Sequence, residues 1–275
     1  MSDSHTPPQF FIEPDMLLGN QIVLVREVLR HARAQRLEAG ETFRAALGDT
    51  VYLAEVSEVL PDRLVAEIVG RNRAVAPVWR VHLLASLLKG QNFDLVVEKA
   101  TEVGVSSITP VVTVRTIPRF DQGKAAERKA RWQKVAKAAS EQSGRGSVTE
   151  ICDVIALDEL LKRAGGMPDT GPVSVPGTRL LAYEHEGLNV PLEQALFSRG
   201  GAAGAATGTA AVAGRLPTAE VSVLVGPEGG LDAAEVKQAL AAGFVPVSLG
   251  PYIMKAETAS IAAVSLLVHY LSKRD

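Results

Sequence analysis

Short runs of β-branched and aliphatic residues mark the first quarter of the chain. IVLV at 22–25, TVYLAEV at 50–56 and RLVAEIV at 63–69 each have the length of one strand, and such runs favour β-structure. Pro61-Asp62 stands between the last two runs and predicts a hairpin turn. The pattern of this region therefore predicts a small barrel or sandwich.

From Val78 onwards, apolar runs alternate with segments of helical period. VWRVHLLAS at 78–86 and VSVLV at 221–225 predict buried strands. Four apolar residues after the first of them share one helix face, namely Phe93, Val96, Val97 and Ala100. This alternation predicts an α/β fold. Residues 199–214 are mostly glycine and alanine, a composition typical of a flexible insertion without chemistry.

Composition and charge narrow the classes of protein. The chain has 275 residues, of which 47% are hydrophobic, with a net charge of −2 and one cysteine. A nucleic-acid binder would therefore need its basic residues concentrated locally, and a disulfide within the chain is impossible. No apolar signal segment opens the chain, and the apolar stretch 259–271 is too short to span a bilayer. The five histidines show no metal spacing. We expect a cytoplasmic protein without a membrane partner or a metal.

The segment VSVLVGPEGGLDAAEV (221–236) is an apolar strand, a glycine-rich corner and a helix start with capping-box spacing at Asp232 and Glu235. Such corners often bind phosphate, but no Lys-Ser/Thr pair follows the glycines and the chain has no G-x-G-x-x-G. Glu228 inside the corner would repel phosphate and attract a cation. The sulfonium and ammonium groups of S-adenosylmethionine are such cations; a purely structural strand–helix turn is the alternative.

Two further segments resemble this corner in their arrangement. SLGPYIMKAETAS (248–260) is again a strand and a Gly-Pro corner, followed by a helix that opens at Glu257-Thr258. LLAYEHEG ends a third strand with Tyr183 and Glu184. Because ligands bind at the carboxyl ends of the strands in open α/β sheets, we expect the three segments to face one crevice.

Positive charge is concentrated between Arg115 and Arg145. This stretch has nine basic and three acidic residues, whereas the whole chain has a net charge of −2. The stretch is either a solvated helix face or a surface that follows RNA phosphates.

Together these segments resemble the RsmE family. FDLVVEKATEVGVSSITPVVTVRT, RWQKVAKAASEQSGR, LVGPEGGL and LGPYIMKAETA are similar to the family's motifs and stand in their usual order. Members are S-adenosylmethionine-dependent methyltransferases of the SPOUT class that modify N3 of a uracil in 16S ribosomal RNA. The resemblance implies a PUA-like, RNA-binding β-barrel at 1–76 and an α/β SPOUT methyltransferase domain with a trefoil knot at 77–275. It also implies a homodimer whose partner is ribosomal RNA or the small ribosomal subunit.

The resemblance also implies roles for individual residues. The cofactor-binding residues that it implies lie on the three corner segments: Leu181, Tyr183, Glu184, Val225, Gly226, Pro227, Glu228, Gly229, Gly230, Leu249, Gly250, Ile253 and Met254. The RNA-binding residues expected with it are Arg36, Lys99, Arg115, Arg145, Tyr252 and Lys255. Tyr252 and Lys255 stand where family members often have arginine, a departure that affects substrate contact more than the cofactor site.

Methyl transfer to N3 of uracil requires the loss of the N3 proton, and therefore a general base or a site that favours the uracil anion. We expect Glu257 or Thr258 to lie beside the target base, with helix capping as the alternative role. Arg145, in the sequence EQSGR, is expected to contact RNA or the partner subunit at the active site.

Two other functions stay open at the level of sequence. The first is a different SPOUT methyltransferase, acting on transfer RNA or on a ribose oxygen. The second is a non-catalytic RNA-binding assembly factor that keeps the fold, although two intact Gly-Pro corners argue against a site without a ligand. The absence of phosphate-binding motifs disfavours a nucleotide-dependent α/β enzyme.

Overall fold

A computed structural model describes residues 6–74, 77–117, 122–165, 173, 175–184, 190–197 and 220–273. The expected insertion at 199–214 lies outside these residues. The chain forms two compact units, one comprising Met1–Ala76 with Lys137–Val148 and the other comprising Pro77–Ala136 with Thr149–Asp275. The predicted boundary at 76 and 77 did not include the short segment Lys137–Val148 in the first unit.

The described part of the first unit is built mainly of β-strands. Its elements are β1 (Gln9–Phe11), β2 (Leu17–Leu18), β3 (Gln21–Leu24), α1 (Arg26–Ala34), β4 (Thr42–Leu47), β5 (Thr50–Val59) and β6 (Leu64–Arg73). They form a six-stranded sheet in the order β1-β4-β5-β6-β3-β2. Strand β1 is parallel to β4, whereas β4, β5 and β6 are antiparallel neighbours. Between β5 and β6, the Leu60 N–H donates to the Arg63 carbonyl at 2.9 Å, which confirms the predicted turn.

One hydrophobic core holds this sheet and α1 together. Phe43 and Leu64 of the sheet are completely or almost completely buried, and Val28 and Leu29 cover them from α1. Successive side chains of a strand point to opposite faces. Arg44 therefore lies on the face of β4 that points away from this core.

The second unit alternates strands and helices, as the sequence predicts. Its elements are β7 (Arg80–Ser86), α2 (Asn92–Val103), β8 (Ser107–Val112), β9 (Glu150–Ile151), β10 (Ile155–Ala156), α4 (Leu157–Ala164), β11 (Thr178–Ala182), β12 (Val190–Pro191), α5 (Leu192–Phe197), β13 (Glu220–Val225), α6 (Ala233–Ala241), β14 (Val245–Ser248) and α7 (Ala256–Ser272). Helix α3 (Ala125–Gln142) begins in this unit, and its last residues belong to the first unit.

A parallel sheet in the order β10-β8-β7-β13-β11-β14-β12 forms the centre of the second unit, and β9 pairs with β8. Both faces of the sheet are buried, since Leu83 of β7 belongs to one core cluster and Leu84 to another. Helices α2 and α7 cover the first face, and α4 and α6 cover the second. This confirms the α/β class and the buried helix face at 93–100.

The helix after the glycine-rich corner begins as its sequence predicts. Asp232 is the N-cap of α6 and accepts a hydrogen bond from the Ala234 N–H at 2.9 Å, while the Glu235 carboxylate accepts one from the Asp232 N–H at 2.8 Å. These two bonds form the capping box. Within the described residues, no helix is both long and apolar enough to cross a membrane.

Candidate active site

The carboxyl ends of three parallel strands position the candidate site. Strand β11 pairs with β13 on one side and with β14 on the other, and the register sets Ala182 beside both Val225 and Val247. The segments that follow the three strands therefore begin at the same edge of the sheet. They line a cavity of about 700 Å³, the single crevice expected from the sequence.

Most of the residues expected at a cofactor site line this cavity. They are Tyr183, Glu184, Val225, Gly226, Pro227, Glu228, Gly229, Gly230, Leu249, Ile253 and Met254. Two expected residues are not part of its lining. The side chain of Leu181 is fully buried in the core. Gly250 instead forms a turn in which its carbonyl accepts a hydrogen bond from the Ser248 Oγ at 2.9 Å.

Glycine is required at two positions of the corner between β13 and α6. Gly230 has a φ of +69°, a left-handed conformation that other residues adopt with strain. Its N–H donates to the Pro227 carbonyl at 2.8 Å and closes the turn. A Cβ atom on Gly226 would lie 3.2 Å from Leu231 Cγ, so a larger residue would push the corner apart.

Glu228 is held by the loop after β7. Its Oε1 accepts a hydrogen bond from the Lys89 N–H at 2.9 Å, and both residues line the cavity. A carboxylate that accepts from a backbone N–H forms a comparatively strong bond. Glu228 therefore braces the corner against a neighbouring loop, while its negative charge stays at the cavity wall.

A second brace holds the corner from the loop after β8. The buried carboxylate of Glu235 accepts a hydrogen bond from the Val114 N–H at 2.8 Å. Arg115 donates to the Gly229 carbonyl at 2.9 Å, and its guanidinium lies 3.7 Å from the Asp232 carboxylate. The structure thus gives Arg115 a bracing role, whereas the sequence suggested an RNA contact.

The segment before α7 carries the candidate general base. Glu257 lines the cavity, whereas Thr258 is exposed and is not among the lining residues. Lys255 is the N-cap of α7, and no side chain caps this helix, so neither Glu257 nor Thr258 is the N-cap. Tyr252 and Ile253 have exposed fractions of 78% and 90%.

The charged residues of the cavity favour a cationic ligand. Three carboxylates line it, those of Glu184, Glu228 and Glu257, together with the two lysines Lys89 and Lys255. A cation inside the cavity is attracted by the carboxylates and still leaves the lysines available for an anionic group. Within the described residues, no cluster of His, Cys, Asp and Glu has the arrangement of a metal site.

Comparison with known proteins identifies the family. A family model described as an RNA methyltransferase domain matches residues 75–268. The ribosomal RNA small subunit methyltransferase E of Bacillus subtilis is 32% identical over 216 residues, which are 78% of this chain and 75% of the relative. The chain belongs to the RsmE family of RNA methyltransferases.

Solved structures share the fold of this RsmE chain. A ribosomal RNA small subunit methyltransferase E from Neisseria gonorrhoeae, bound to S-adenosylmethionine, aligns with a TM-score of 0.74 at 28% identity, covering 95% of this chain and 96% of that one. A methyltransferase from Legionella pneumophila with bound cofactor has a TM-score of 0.75 at 23% identity, and the alignment covers 95% of this chain and 96% of that one.

Five of the six residues expected to bind RNA lie outside the lining of the cavity of this RsmE chain: Arg115 and Tyr252, described above, and Arg36, Lys99 and Arg145. Arg36 is exposed in the first unit with a φ of +57°. The Lys99 ammonium lies 2.8 Å from the Glu98 carboxylate and 2.9 Å from that of Glu102, and these hydrogen bonds raise the pKa of Lys99. Arg145 belongs to the first unit, and burial lowers the pKa of its guanidinium.

Two polar residues of the cavity were not anticipated from the sequence. Lys89 and Asn92 come from the loop after β7 and from the start of α2. They reach the cavity because β7 is the sheet neighbour of β13. The one feature of the sequence that marks this loop is the Lys-Gly pair at 89–90, shortly after the strand predicted at 78–86.

Proposed function

We propose that this protein transfers a methyl group from S-adenosylmethionine to N3 of a uridine in 16S ribosomal RNA. The observation that carries the proposal is the cavity at the carboxyl ends of β11, β13 and β14, formed by a glycine-rich corner and three carboxylates. Its RsmE relative from Neisseria gonorrhoeae is bound to S-adenosylmethionine, and its relative from Bacillus subtilis is a small subunit methyltransferase.

The residues of the cavity fit S-adenosylmethionine. A volume of about 700 Å³ is in the usual range for sites that bind small ligands. The corner approaches the cavity with backbone at Gly229 and Gly230, where no side chain blocks hydrogen bonds to a ligand. When bound, S-adenosylmethionine supplies a methyl group on a positively charged sulfur, which needs no further activation.

We assign the binding of this cofactor to the lining residues of the three corner segments. Glu184 and Glu228 provide negative charge for its cationic groups, and Met254 and Leu249 provide apolar contact. Leu181 and Gly250 are not lining residues. We assign to them only contacts of their backbone atoms with the cofactor. Lys89 and Asn92 join the set.

The residues around Glu257 are proposed to bind the target uridine. Glu257 accepts the N3 proton as general base, because it is the carboxylate of the α7 segment that lines the cavity. The exposed Tyr252 stacks on RNA bases, and Lys255 attracts phosphate. Arg145 and Arg36 keep their proposed roles as RNA contacts. So do Lys99, which is paired with Glu98 and Glu102, and Arg115, which also bonds to Gly229. Thr258 does not line the cavity, so we assign no catalytic role to it.

The finer description of the fold is also proposed. We infer that residues 1–76 form a PUA-like barrel and that residues 77–275 form a SPOUT domain with a trefoil knot. Support for the barrel and the knot comes from the membership of the chain in the RsmE family.

We further propose a cytoplasmic homodimer that acts on ribosomal RNA or the small subunit. Exposed apolar side chains of the second unit support the dimer, since Ile253, which lines the cavity, and Val114 have exposed fractions of 90% and 77%. Large exposed apolar side chains of this kind are common at interfaces. The ribosomal RNA substrate implies the cytoplasm.

One experiment tests the activity. Small ribosomal subunits from a strain without this modification are incubated with the protein and S-adenosylmethionine, and the nucleosides of the RNA are analysed by mass spectrometry. We expect N3-methyluridine. A 2′-O-methylated nucleoside, or methylation only of added transfer RNA, would identify a different SPOUT methyltransferase. RNA binding with no methylated nucleoside would favour an assembly factor.

A further inference from the structure

A separate cavity of about 720 Å³ lies within the first unit. The outer face of strands β4, β5 and β6 forms its floor, and the turn of residues 143–146 forms one wall. All of its lining residues belong to the first unit. We call it the barrel cavity; none of its residues lines the candidate active site.

The strand register determines which side chains face the barrel cavity. Arg44 of β4 lies directly opposite Leu53 of β5, and Val51 of β5 lies opposite Asn72 of β6. Directly opposite residues of antiparallel strands share a face. Val51 is buried, whereas Leu53 is 36% exposed. The floor is therefore an apolar strip with a guanidinium on one side and an amide on the other.

Glycines bring the turn close to the sheet. Gly144 has a φ of +69°, and a Cβ atom on it would lie 3.0 Å from the Arg44 guanidinium. A Cβ atom on Gly146 would lie only 2.6 Å from the Cβ of Ala74. Because the turn has no side chains at these two points, its backbone can form a wall beside Arg44.

The barrel cavity is positively charged. Three arginines line it, namely Arg44, Arg73 and Arg145, and no Asp or Glu is among its lining residues. Arg73 lies 3.7 Å from the Asp49 carboxylate, but within the described residues no carboxylate forms an ion pair with Arg44. Burial lowers the pKa of Arg145. A guanidinium that is partly removed from water attracts an anion more strongly than an exposed one.

We propose that the barrel cavity binds one unpaired nucleotide of RNA. Arg44 and Arg145 bind its phosphate, since guanidinium groups match phosphate oxygens in geometry. The base lies on the apolar strip of Val51 and Leu53, and the Asn72 amide bonds to its edge. Unpaired bases are the part of RNA that proteins recognise by direct contact. This inference rests on the proposed function and names a second contact with the same RNA.

A pair of matched variants tests the proposal. Asn72→Asp introduces a negative charge into the barrel cavity with almost no change in volume. Arg71→Ala changes the net charge by the same amount one residue away, at a position opposite Tyr52 on the other face of β6. Binding of a fluorescent, single-stranded 12-nucleotide RNA is measured by anisotropy. We expect Asn72→Asp to weaken binding roughly tenfold and Arg71→Ala to weaken it less than about twofold. Equal losses would overturn the proposal.

A second arm separates the base from the phosphate. Leu53→Ala is compared with the wild type on the same RNA and on an abasic strand of equal length. We expect Leu53→Ala to weaken binding of the RNA but not of the abasic strand, whereas Asn72→Asp weakens both. An equal effect of Leu53→Ala on the two strands would overturn the assignment of the base.

Arg44→Ala should lower the slope of log affinity against log salt by about 1.

The binding assay is independent of methyl transfer, so the two proposals can fail separately. If the wild type forms N3-methyluridine but Asn72→Asp binds RNA as Arg71→Ala does, the barrel cavity proposal is wrong and the proposed function stands. If no methylated nucleoside forms but the difference between the variants persists, the proposed function is wrong and the nucleotide site stands. A loss of affinity for small subunits alone, with unchanged affinity for the RNA strand, would show that a protein segment binds there and would overturn the proposal.

Discussion

At the scale of the residue, Glu228 combines two roles that the sequence leaves unresolved. Its carboxylate lines the cavity and accepts the Lys89 N–H at 2.9 Å. The backbone of this corner resembles that of a phosphate site, where a carboxylate would be unexpected. The hydrogen bond explains why Glu228 is there, because it attaches the corner to the loop after β7. The remaining question is whether the negative charge or the hydrogen bond matters more for the cofactor.

Substitution at Glu228 separates these contributions. Glu228→Ala removes the bond and the charge, and we expect the affinity for S-adenosylmethionine to fall roughly tenfold. Glu228→Gln keeps an oxygen that accepts the Lys89 N–H, and we expect a fall of less than about threefold. Isothermal titration calorimetry measures both. A Gln variant as weak as the Ala variant would show that the charge, and not the brace, holds the cofactor.

Glu257 is the residue whose change should affect the chemical step. Glu257→Gln preserves the shape of the side chain but cannot accept a proton, so we expect kcat to fall roughly 100-fold or more with little change in KM for S-adenosylmethionine. Glu193→Gln, the same change on the exposed surface of α5, is the control. Methyl transfer from labelled S-adenosylmethionine to small subunits measures the rate. An unchanged kcat in Glu257→Gln would exclude it as the base.

The residues that sequence reasoning located best are those placed by their own strand. Tyr183, Gly226 and Leu249 line the cavity because each directly follows a strand whose end is evident from the sequence. The sequence did not predict that Lys89 lines the cavity, because the position of Lys89 depends on which strand lies beside β13. For Arg115, the charge was evident but its bonds to Gly229 and Asp232 were not, since they join segments more than a hundred residues apart.

At the scale of the element, a half-buried histidine lies near the amino ends of the parallel strands β7, β8 and β13. His82 of β7 shares a hydrogen bond of 2.8 Å with the Ser107 Oγ of β8 and lies 4.0 Å from the Glu220 carboxylate of β13. Burial lowers the pKa of His82 below its ordinary value of 6.5, an effect that Glu220 partly opposes. The folded protein therefore resists protonation of His82, whereas the unfolded chain accepts the proton near pH 6.5.

The stability of the second unit should consequently depend on pH below neutrality. Because the folded pKa is the lower one, the contribution of neutral His82 is present above pH 6.5 and is lost as the pH falls from 6.5 towards the folded pKa. We expect His82→Gln to reduce the loss of stability on acidification. Urea unfolding followed by tryptophan fluorescence measures it, since both tryptophans, Trp79 and Trp132, lie in the second unit. His269→Gln, at an exposed position of α7, should leave the pH dependence unchanged; equal effects of the two variants would refute the role of His82.

Local patterns predicted individual elements better than their arrangement. The hairpin turn at Pro61-Asp62 and the capping box of α6 depend on neighbours in the chain, and both are present. The position of β13 between β7 and β11 depends on contacts across the whole second unit, and hydrophobic periodicity is the same for any order of buried strands. The sequence did not predict that Lys137–Val148 belongs to the first unit, for the same reason. The helical period of α3 does not show which unit its last residues belong to.

At the scale of the whole molecule, large exposed side chains lie at and beside the cavity of the second unit. Ile253 lines the cavity and is 90% exposed. Tyr252 beside it is 78% exposed. The turn with the exposed Val114 is bonded to Glu235, in the first turn of the helix after the corner. Because Ile253 lines the cavity, a second copy that covers Ile253 and its neighbour Tyr252 would also shield part of the cavity from water.

Ile253→Asp tests this arrangement directly. A charge buried in an interface without a partner is costly, so we expect the variant to be monomeric at concentrations where the wild type is a dimer, measured by size-exclusion chromatography with light scattering. Val69→Asp is the matched control, because Val69 is 54% exposed in β6 of the first unit, and it should remain dimeric. The far-UV circular dichroism spectra of both variants should match that of the wild type, since exposed substitutions change the stability of the folded protomer by less than about 0.5 kcal/mol. A dimer that persists in Ile253→Asp would place the interface elsewhere, and a monomeric wild type would refute the dimer itself.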